Sequence, residues 1–233
     1  ILRAYQVWGQ NCVERLLGDF SFAIWDAPRQ RLFCARDQMG VKPFFYANVG
    51  SCFLFSNTLD CLRQHPSLSD RLNDLAIADF LLYDMSQDPA ATAFADIHRL
   101  PPAHVLSCVS GNVSVRRYWS LPIATPVHYR QDEECIEHFR ELLDNAVADR
   151  LRTDSAGVLM SGGLDSPSVA ACAQRIFAQG GNNFDLRAQT VVFDKLIPDE
   201  ERHYSGLVAE ALGIPIEFRV DDDLQLFDNA DHP

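Results

Sequence analysis

Apolar and polar positions follow two different rhythms along this chain, and the change falls near its middle. In "GDFSFAIWDAPRQRLFCARD", Phe20, Phe22 and Ile24 alternate with Ser21, Ala23 and Trp25, which predicts a strand. The chain then turns at Pro28-Arg29-Gln30 into a second strand over Leu32 to Ala35. Neither face of the first strand is plainly polar, so it is expected to be covered on both sides in a layered sandwich. Short strands fit "FFYANV" and "SCFLFSN", and "HVLSCVSGNVSVRRYW" reads as a hairpin turned by Ser110-Gly111-Asn112. Helices are expected at 1–9, 58–64 and 74–83, the last with Leu75, Ala78, Asp79 and Leu82 at mixed helical spacing.

"SLPIATPVHYRQ", residues 120–131, carries two prolines and neither period, which marks a boundary. Beyond it, Ile136, Phe139, Leu143, Ala146, Val147 and Leu151 recur at three and four residues and predict one long helix. Acids at 132–134 open that helix and Arg150 and Arg152 close it, as the helix dipole favours. Strand 156–160, helix 166–178, strand 188–193, helix 200–212 and strand 214–220 follow, and an apparent new helix precedes the closing "DNADHP". Strands alternating with helices imply right-handed crossovers and a parallel sheet. The fold class is therefore α/β, with an α+β first half.

Composition narrows the function. The chain has 233 residues, 47% of them hydrophobic, enough for one large or two smaller cores. Its apolar runs are short and its first residues lack the order of a signal peptide, so a cytoplasmic protein with no membrane partner is expected. A formal charge of −12 disfavours nucleic acid, whose binding depends on Lys and Arg placed on phosphates. Seven cysteines form no C-x-x-C pair and are expected mostly as buried thiols; seven histidines show no metal-binding spacing, so no zinc site is expected. The chain opens at Ile1 in mid-pattern and both ends look cut, as in a fragment of a longer protein.

The segment richest in chemistry is "GVLMSGGLDSPSVAACAQ", a strand that breaks into Ser161-Gly162-Gly163 and resumes as a helix. In a parallel sheet, ligands collect at the carboxyl ends of strands, where helix N-termini present free N–H groups. Gly162 and Gly163 can adopt positive φ and let phosphate oxygens approach the backbone. Ser161 and Ser166 add hydroxyls, and Asp165 makes sense as a ligand of Mg²⁺ bridging a polyphosphate. Pro167 suits a first helical turn. No lysine follows the glycines, so this is not a Walker A loop.

S-G-G-x-D-S resembles the signature of the ATP-pyrophosphatase (PP-loop) family, whose members cleave ATP to AMP and pyrophosphate to adenylate an oxygen. The first half carries a second resemblance. "LLGDFSFAIWDAPRQRLFCARDQMGVKPFFYA" and "RLPPAHVL" are similar to the distal part of a class II glutamine amidotransferase domain. The two halves in this order resemble glutamine-hydrolysing asparagine synthetase and its relatives. The resemblance implies a partial αββα glutaminase-type sandwich at 1–121, a linker at 122–131 and the start of a PP-loop (adenine nucleotide α-hydrolase-like) domain at 132–233.

By position, the resemblance makes Leu159, Ser161, Gly162, Gly163, Asp165, Ser166 and Val191 ATP contacts, with Asp165 also the Mg²⁺ ligand. Core packing is the alternative for Leu159 and Val191. Asp194, Asp199 and Glu200 lie beyond the second strand, where acids could reach the metal; Asp199 equally suits a helix N-cap. ATP, Mg²⁺, aspartate or a related carboxylate, and glutamine or ammonia are the implied ligands, and a homodimer is allowed. The family's N-terminal cysteine nucleophile and its downstream ligase residues have no counterpart here, and Cys12 sits in a helical pattern, so no catalytic residue is assigned. The 233 residues alone are expected to bind nucleotide weakly and catalyse neither half-reaction.

Three departures stand out: Asn57 where the family has Glu, Ala103 in place of the glycine of P-P-G-H, and Pro167 in place of a common Ser. Together they weaken the case for an intact glutaminase; Asn57 and Pro167 keep open a β-lactam synthetase or lasso-peptide macrocyclase without glutaminase activity, and a non-catalytic nucleotide-binding relative is a separate alternative. The acidic charge argues against a PP-loop enzyme acting on tRNA.

Overall fold

The computed structural model describes residues 1–123, 126–180 and 184–223. The chain divides into two compact units, Ile1–Thr125 and Pro126–Pro233. The apparent helix before "DNADHP" lies outside the described residues.

In the first unit, α1 (Leu2–Trp8) runs into a 3-10 segment, Gly9–Arg15, which holds Cys12 and Val13 fully buried. Four antiparallel strands follow in the order β1-β2-β6-β7: β1 (Ser21–Asp26), β2 (Arg31–Arg36), β6 (His104–Val109) and β7 (Asn112–Arg117). A second sheet has the order β4-β3-β5, from β3 (Phe45–Val49), β4 (Cys52–Ser56) and β5 (His98–Arg99). Phe33 and Ala35 of β2 join Tyr5, Cys12, Val13 and Phe20 in one core, while Cys34 joins Leu106, Phe44, Tyr46 and Leu100 in another. With α2 (Leu59–Arg63) packed on β3 and β4, the layers run helix, sheet, sheet, helix.

The strand covered on both faces is thus β2, not β1. β1 sits at the sheet edge, its side chains mostly half-buried and Trp25 57% exposed. Alternation along β1 carries no information about edge position, which depends on β2 pairing with β6. The hairpin closes in two residues rather than over Ser110-Gly111-Asn112: Ser110 and Gly111 take φ of 50° and 81°, while Asn112 already pairs with Val109 as the first residue of β7. Positive φ at both central positions matches the twist of the flanking strands.

Between β2 and β3 the chain is held by charge. Asp37, 1% exposed, accepts N–H bonds from Val41 (2.9 Å) and Lys42 (3.0 Å). The Arg36 guanidinium donates to the carbonyls of Gly40, Lys42 (2.9 Å) and Leu100 (2.7 Å). Gly40 takes φ +68°, and a Cβ there would lie 2.7 Å from Pro102 Cγ. Ala103 also takes a left-handed φ, +59°, a conformation glycine adopts more easily. Helix α3 (Asp74–Tyr83) is N-capped by the Asn73 side chain on Ala76 N–H (3.2 Å), but Leu75 and Leu82 are exposed and Ala76 is its buried residue.

The second unit is a parallel sheet of order β10-β9-β8, from β8 (Ser155–Leu159), β9 (Asp185–Val192) and β10 (Ile216–Val220). Helices α4 (Asp132–Ala148), α5 (Asp165–Gly180) and α6 (Glu201–Leu212) accompany it. Leu186, Ala188, Thr190 and Val192 of β9 are buried, and Leu186 and Ala188 pack with Val147, Met160, Ala170, Ala173 and Ala209. Asp185, Arg187, Gln189 and Val191 alternate with them on the exposed face. Within α4, Leu143 and Val147 reach this core, whereas Ile136 and Phe139 are exposed. Arg150 and Arg152 lie past the helix rather than closing it, because Arg150 N–H already bonds Val147 O (2.9 Å), tightening the chain into a turn.

Burial of the cysteines is mixed. Cys12, Cys34 and Cys172 are buried, Cys108 is half-buried, and Cys52, Cys61 and Cys135 are exposed; all are free. The expectation of mostly buried thiols fails where short strands and helices show an outer face. No helix among the described residues is long and apolar enough to cross a membrane.

Candidate nucleotide-binding site

β8 is anchored to β9 up to its last buried residue. Met160, 2% exposed, donates its N–H to Gln189 O (2.8 Å), and its carbonyl accepts the Thr190 hydroxyl (2.6 Å). The chain then leaves the sheet at Ser161 and re-enters regular structure at Asp165, the first residue of α5. The first helical N–H groups have no partner inside the helix, so the turn faces a set of free donors at the positive end of a dipole. Ser168 N–H bonds Leu164 O (3.1 Å), and Pro167 lies in the first turn, where its missing N–H costs nothing.

The loop is closed by its own hydroxyls. Ser166 Oγ accepts the Ser161 N–H (3.0 Å) and lies 3.2 Å from Ser161 Oγ, which accepts a longer bond from Gly163 N–H (3.4 Å). Neither Gly162 nor Gly163 takes a positive φ, contrary to expectation. Gly162 is required instead by close approach: a Cβ would lie 2.7 Å from Tyr204 Cβ of α6. At Gly163 the nearest neighbour of such a Cβ is Ser161 Oγ at 3.4 Å, ordinary contact.

Leu159 is 76% exposed and Val191 46%, so neither is a core residue. Leu159 pairs with Gln189, and Val191 lies two residues further along the same exposed face. The two side chains form an apolar patch at the carboxyl ends of adjacent strands, next to the loop. The structure therefore gathers Leu159, Ser161, Gly162, Gly163, Asp165, Ser166 and Val191 at one end of one sheet.

The acids separate into two kinds. Asp165 is exposed and makes no side-chain hydrogen bond or ion pair among the described residues. Asp194 is paired with Arg202 (2.9 Å), and Asp199 uses one oxygen on Phe193 N–H and the other on Glu201 N–H, both at 2.8 Å. Glu200 only precedes α6, without a side-chain cap. Asp222 accepts N–H bonds from Asp194, Lys195 and Leu196 (2.9–3.0 Å), and the Leu196 and Lys195 donors above all hold its carboxyl below the usual carboxylate range.

No group of three His, Cys, Asp or Glu side chains suited to a metal exists among the described residues. A free carboxylate at a helix start fits Mg²⁺, which takes one or two protein carboxylates and completes its shell with water and ligand oxygens. Asp165 would be that ligand. Glu201, which the motif does not include, accepts the N–H of Gly162 across a separation of 39 residues. No local sequence signal marks it. In the first unit, Cys12 is fully buried and burial raises its thiol pKa, which excludes it as a nucleophile.

Comparison with known proteins matches residues 1–119 to a glutamine amidotransferase domain and residues 138–232 to asparagine synthase. Asparagine synthetase [glutamine-hydrolyzing] 3 of Bacillus subtilis (strain 168) is 34% identical over 182 residues, 78% of this chain and 29% of that protein. Asparagine synthetase [glutamine-hydrolyzing] 2 of the same organism is 29% identical over 226 residues, 92% of this chain and 29% of the relative. Amidase chyE of Penicillium rubens is 28% identical over 93% of this chain and 33% of its own length. The chain thus spans about a third or less of the length of these relatives. With a glutamine amidotransferase domain followed by an asparagine synthase domain, the chain belongs to the family of the glutamine-hydrolysing asparagine synthetases.

Proposed function

We propose that this chain contributes the nucleotide loop of an ATP-dependent, asparagine synthetase-type amidotransferase. In this reading Leu159 and Val191 receive the adenine. The hydroxyls of Ser161 and Ser166 and the N–H groups from Gly163 into α5 hold the pyrophosphate, and Asp165 holds Mg²⁺. The metal, when bound, neutralises charge on the phosphates and on the departing pyrophosphate. The aspartate side-chain carboxylate attacks the α-phosphorus of ATP, giving an aspartyl-adenylate, and glutamine-derived ammonia then displaces AMP to leave asparagine. Preorganised N–H groups act where charge builds on the pyrophosphate, a type of contact in which one donor is worth about 3–4 kcal/mol.

The observation that carries the reading is the exposed Asp165 carboxylate at the start of α5, without a side-chain hydrogen bond or ion pair among the described residues, beside an exposed loop of serines and glycines. ATP–pyrophosphate exchange by the full-length protein, with and without aspartate, tests it. Exchange should depend on aspartate and fall by more than about 100-fold in Asp165→Asn, as loss of a metal contact implies. Undiminished exchange in that variant would refute the assignment of the loop; exchange driven by another carboxylic acid alone would keep the loop and replace the acceptor.

A further inference from the structure

Three hydrogen bonds connect the end of β9 to the glycine loop through two acids. Phe193, the residue after β9, donates its N–H to one oxygen of Asp199 (2.8 Å). The other Asp199 oxygen accepts the N–H of Glu201 (2.8 Å), the first residue of α6. The Glu201 carboxylate in turn accepts the N–H of Gly162. One turn along α6, Tyr204 packs so closely on Gly162 that no side chain fits between them.

We propose that Asp199 and Glu201 are positioning residues that set the spacing between the base-binding and phosphate-binding parts of the site. This rests on the nucleotide reading of the loop given above. A helix cap would need only the Asp199–Glu201 bond; here Asp199 also binds the end of β9, and Glu201 reaches back to another strand's loop. A nucleotide must meet Val191 on β9 and the donors after β8 at once, and productive geometry tolerates errors of only about 0.5 Å. Strand pairing secures β8 against β9 up to Met160 and Gln189, but the loop itself lies beyond the ladder. Glu201 supplies the missing tie. Because its carboxylate occupies the Gly162 N–H, that group is not a phosphate donor, and binding falls to the first turn of α5, the two serine hydroxyls and the Gly163 N–H once it gives up its longer bond to Ser161 Oγ (3.4 Å).

The function is that of an acceptor, so the neutral isostere should serve. In the full-length protein, Glu201→Ala and Asp199→Ala should weaken MgATP binding by about 10-fold or more, the size of effect expected from residues that orient binding groups. Glu201→Gln should stay within about threefold of the parent, since its amide oxygen accepts the same N–H. In nucleotide-free protein, hydrogen exchange at the Gly162 amide should accelerate in Glu201→Ala and not in Glu201→Gln. Affinity in Glu201→Ala equal to or tighter than the parent, or equal losses in the alanine and glutamine variants, would overturn the proposal. Parent protein that binds MgATP and loses it in Asp165→Asn, yet is indifferent to Glu201→Ala, would sink the positioning role alone. A parent that binds no MgATP would remove both readings.

Discussion

A methyl group added at Gly162 tests whether the loop is held against α6. In Gly162→Ala the new Cβ would lie 2.7 Å from Tyr204 Cβ and 3.4 Å from Glu201 Oε2. Tyr204 Cβ is fixed by the helix backbone and cannot swing away, unlike the end of a long side chain. Restoring carbon–carbon contact at roughly 3.5 Å needs loop and helix to part by about 0.8 Å. Overpacking of this kind costs about 1–3 kcal/mol. For a unit of this size each kcal/mol lowers Tm by roughly 4–8 °C, so a drop of about 5–20 °C is expected. A shift approaching 1 Å in a positioned loop also costs on the order of 100-fold in reaction rate. Gly163→Ala is the control: its Cβ would meet only Ser161 Oγ at 3.4 Å, φ is not left-handed, and a slight gain from a less flexible unfolded chain is expected. Calorimetric Tm values of the two variants, with ATP–pyrophosphate exchange alongside, decide the matter. Equal Tm losses in both, or an unperturbed Gly162→Ala, would show that contact with α6 does not shape the loop.

Other outcomes follow from the same structure. Arg36→Met strands three carbonyls, those of Gly40, Lys42 and Leu100, and should destabilise the first unit by about 3 kcal/mol or more in denaturant titrations. Brief treatment of native protein with a thiol reagent should label Cys52, Cys61 and Cys135 and spare Cys12 and Cys34, the latter with its thiol pushed up to about 12 by burial; mass spectrometry of peptides reads the pattern. Asp222 has a depressed pKa, so its hold on residues 194–196 is complete above the unfolded value of roughly 3.9 and is lost as pH falls through the lower folded value. Amide exchange at Lys195 and Leu196, corrected for its intrinsic pH dependence, should lose protection over that acid range, and Asp222→Ala, which removes the acceptor, should lose it at neutral pH.

Much of this protein is legible from residues near one another in the chain. The strand–turn–helix about Ser161–Ser166, the hairpin at Ser110-Gly111, though not its exact length, and the alternation of strands and helices after residue 131 all arise from local periodicity and turn chemistry. Tertiary structure alone decided which strand of the first sheet is covered on both faces, because that follows from β2 pairing with β6 rather than from alternation within β1. It also decided that Gly162 serves contact with Tyr204 rather than a positive φ, and that Glu201 belongs to the loop. Backbone dihedrals and hydrophobic period are properties of neighbouring residues, whereas a hydrogen bond spanning 39 residues exists only once two helices and two strands have packed.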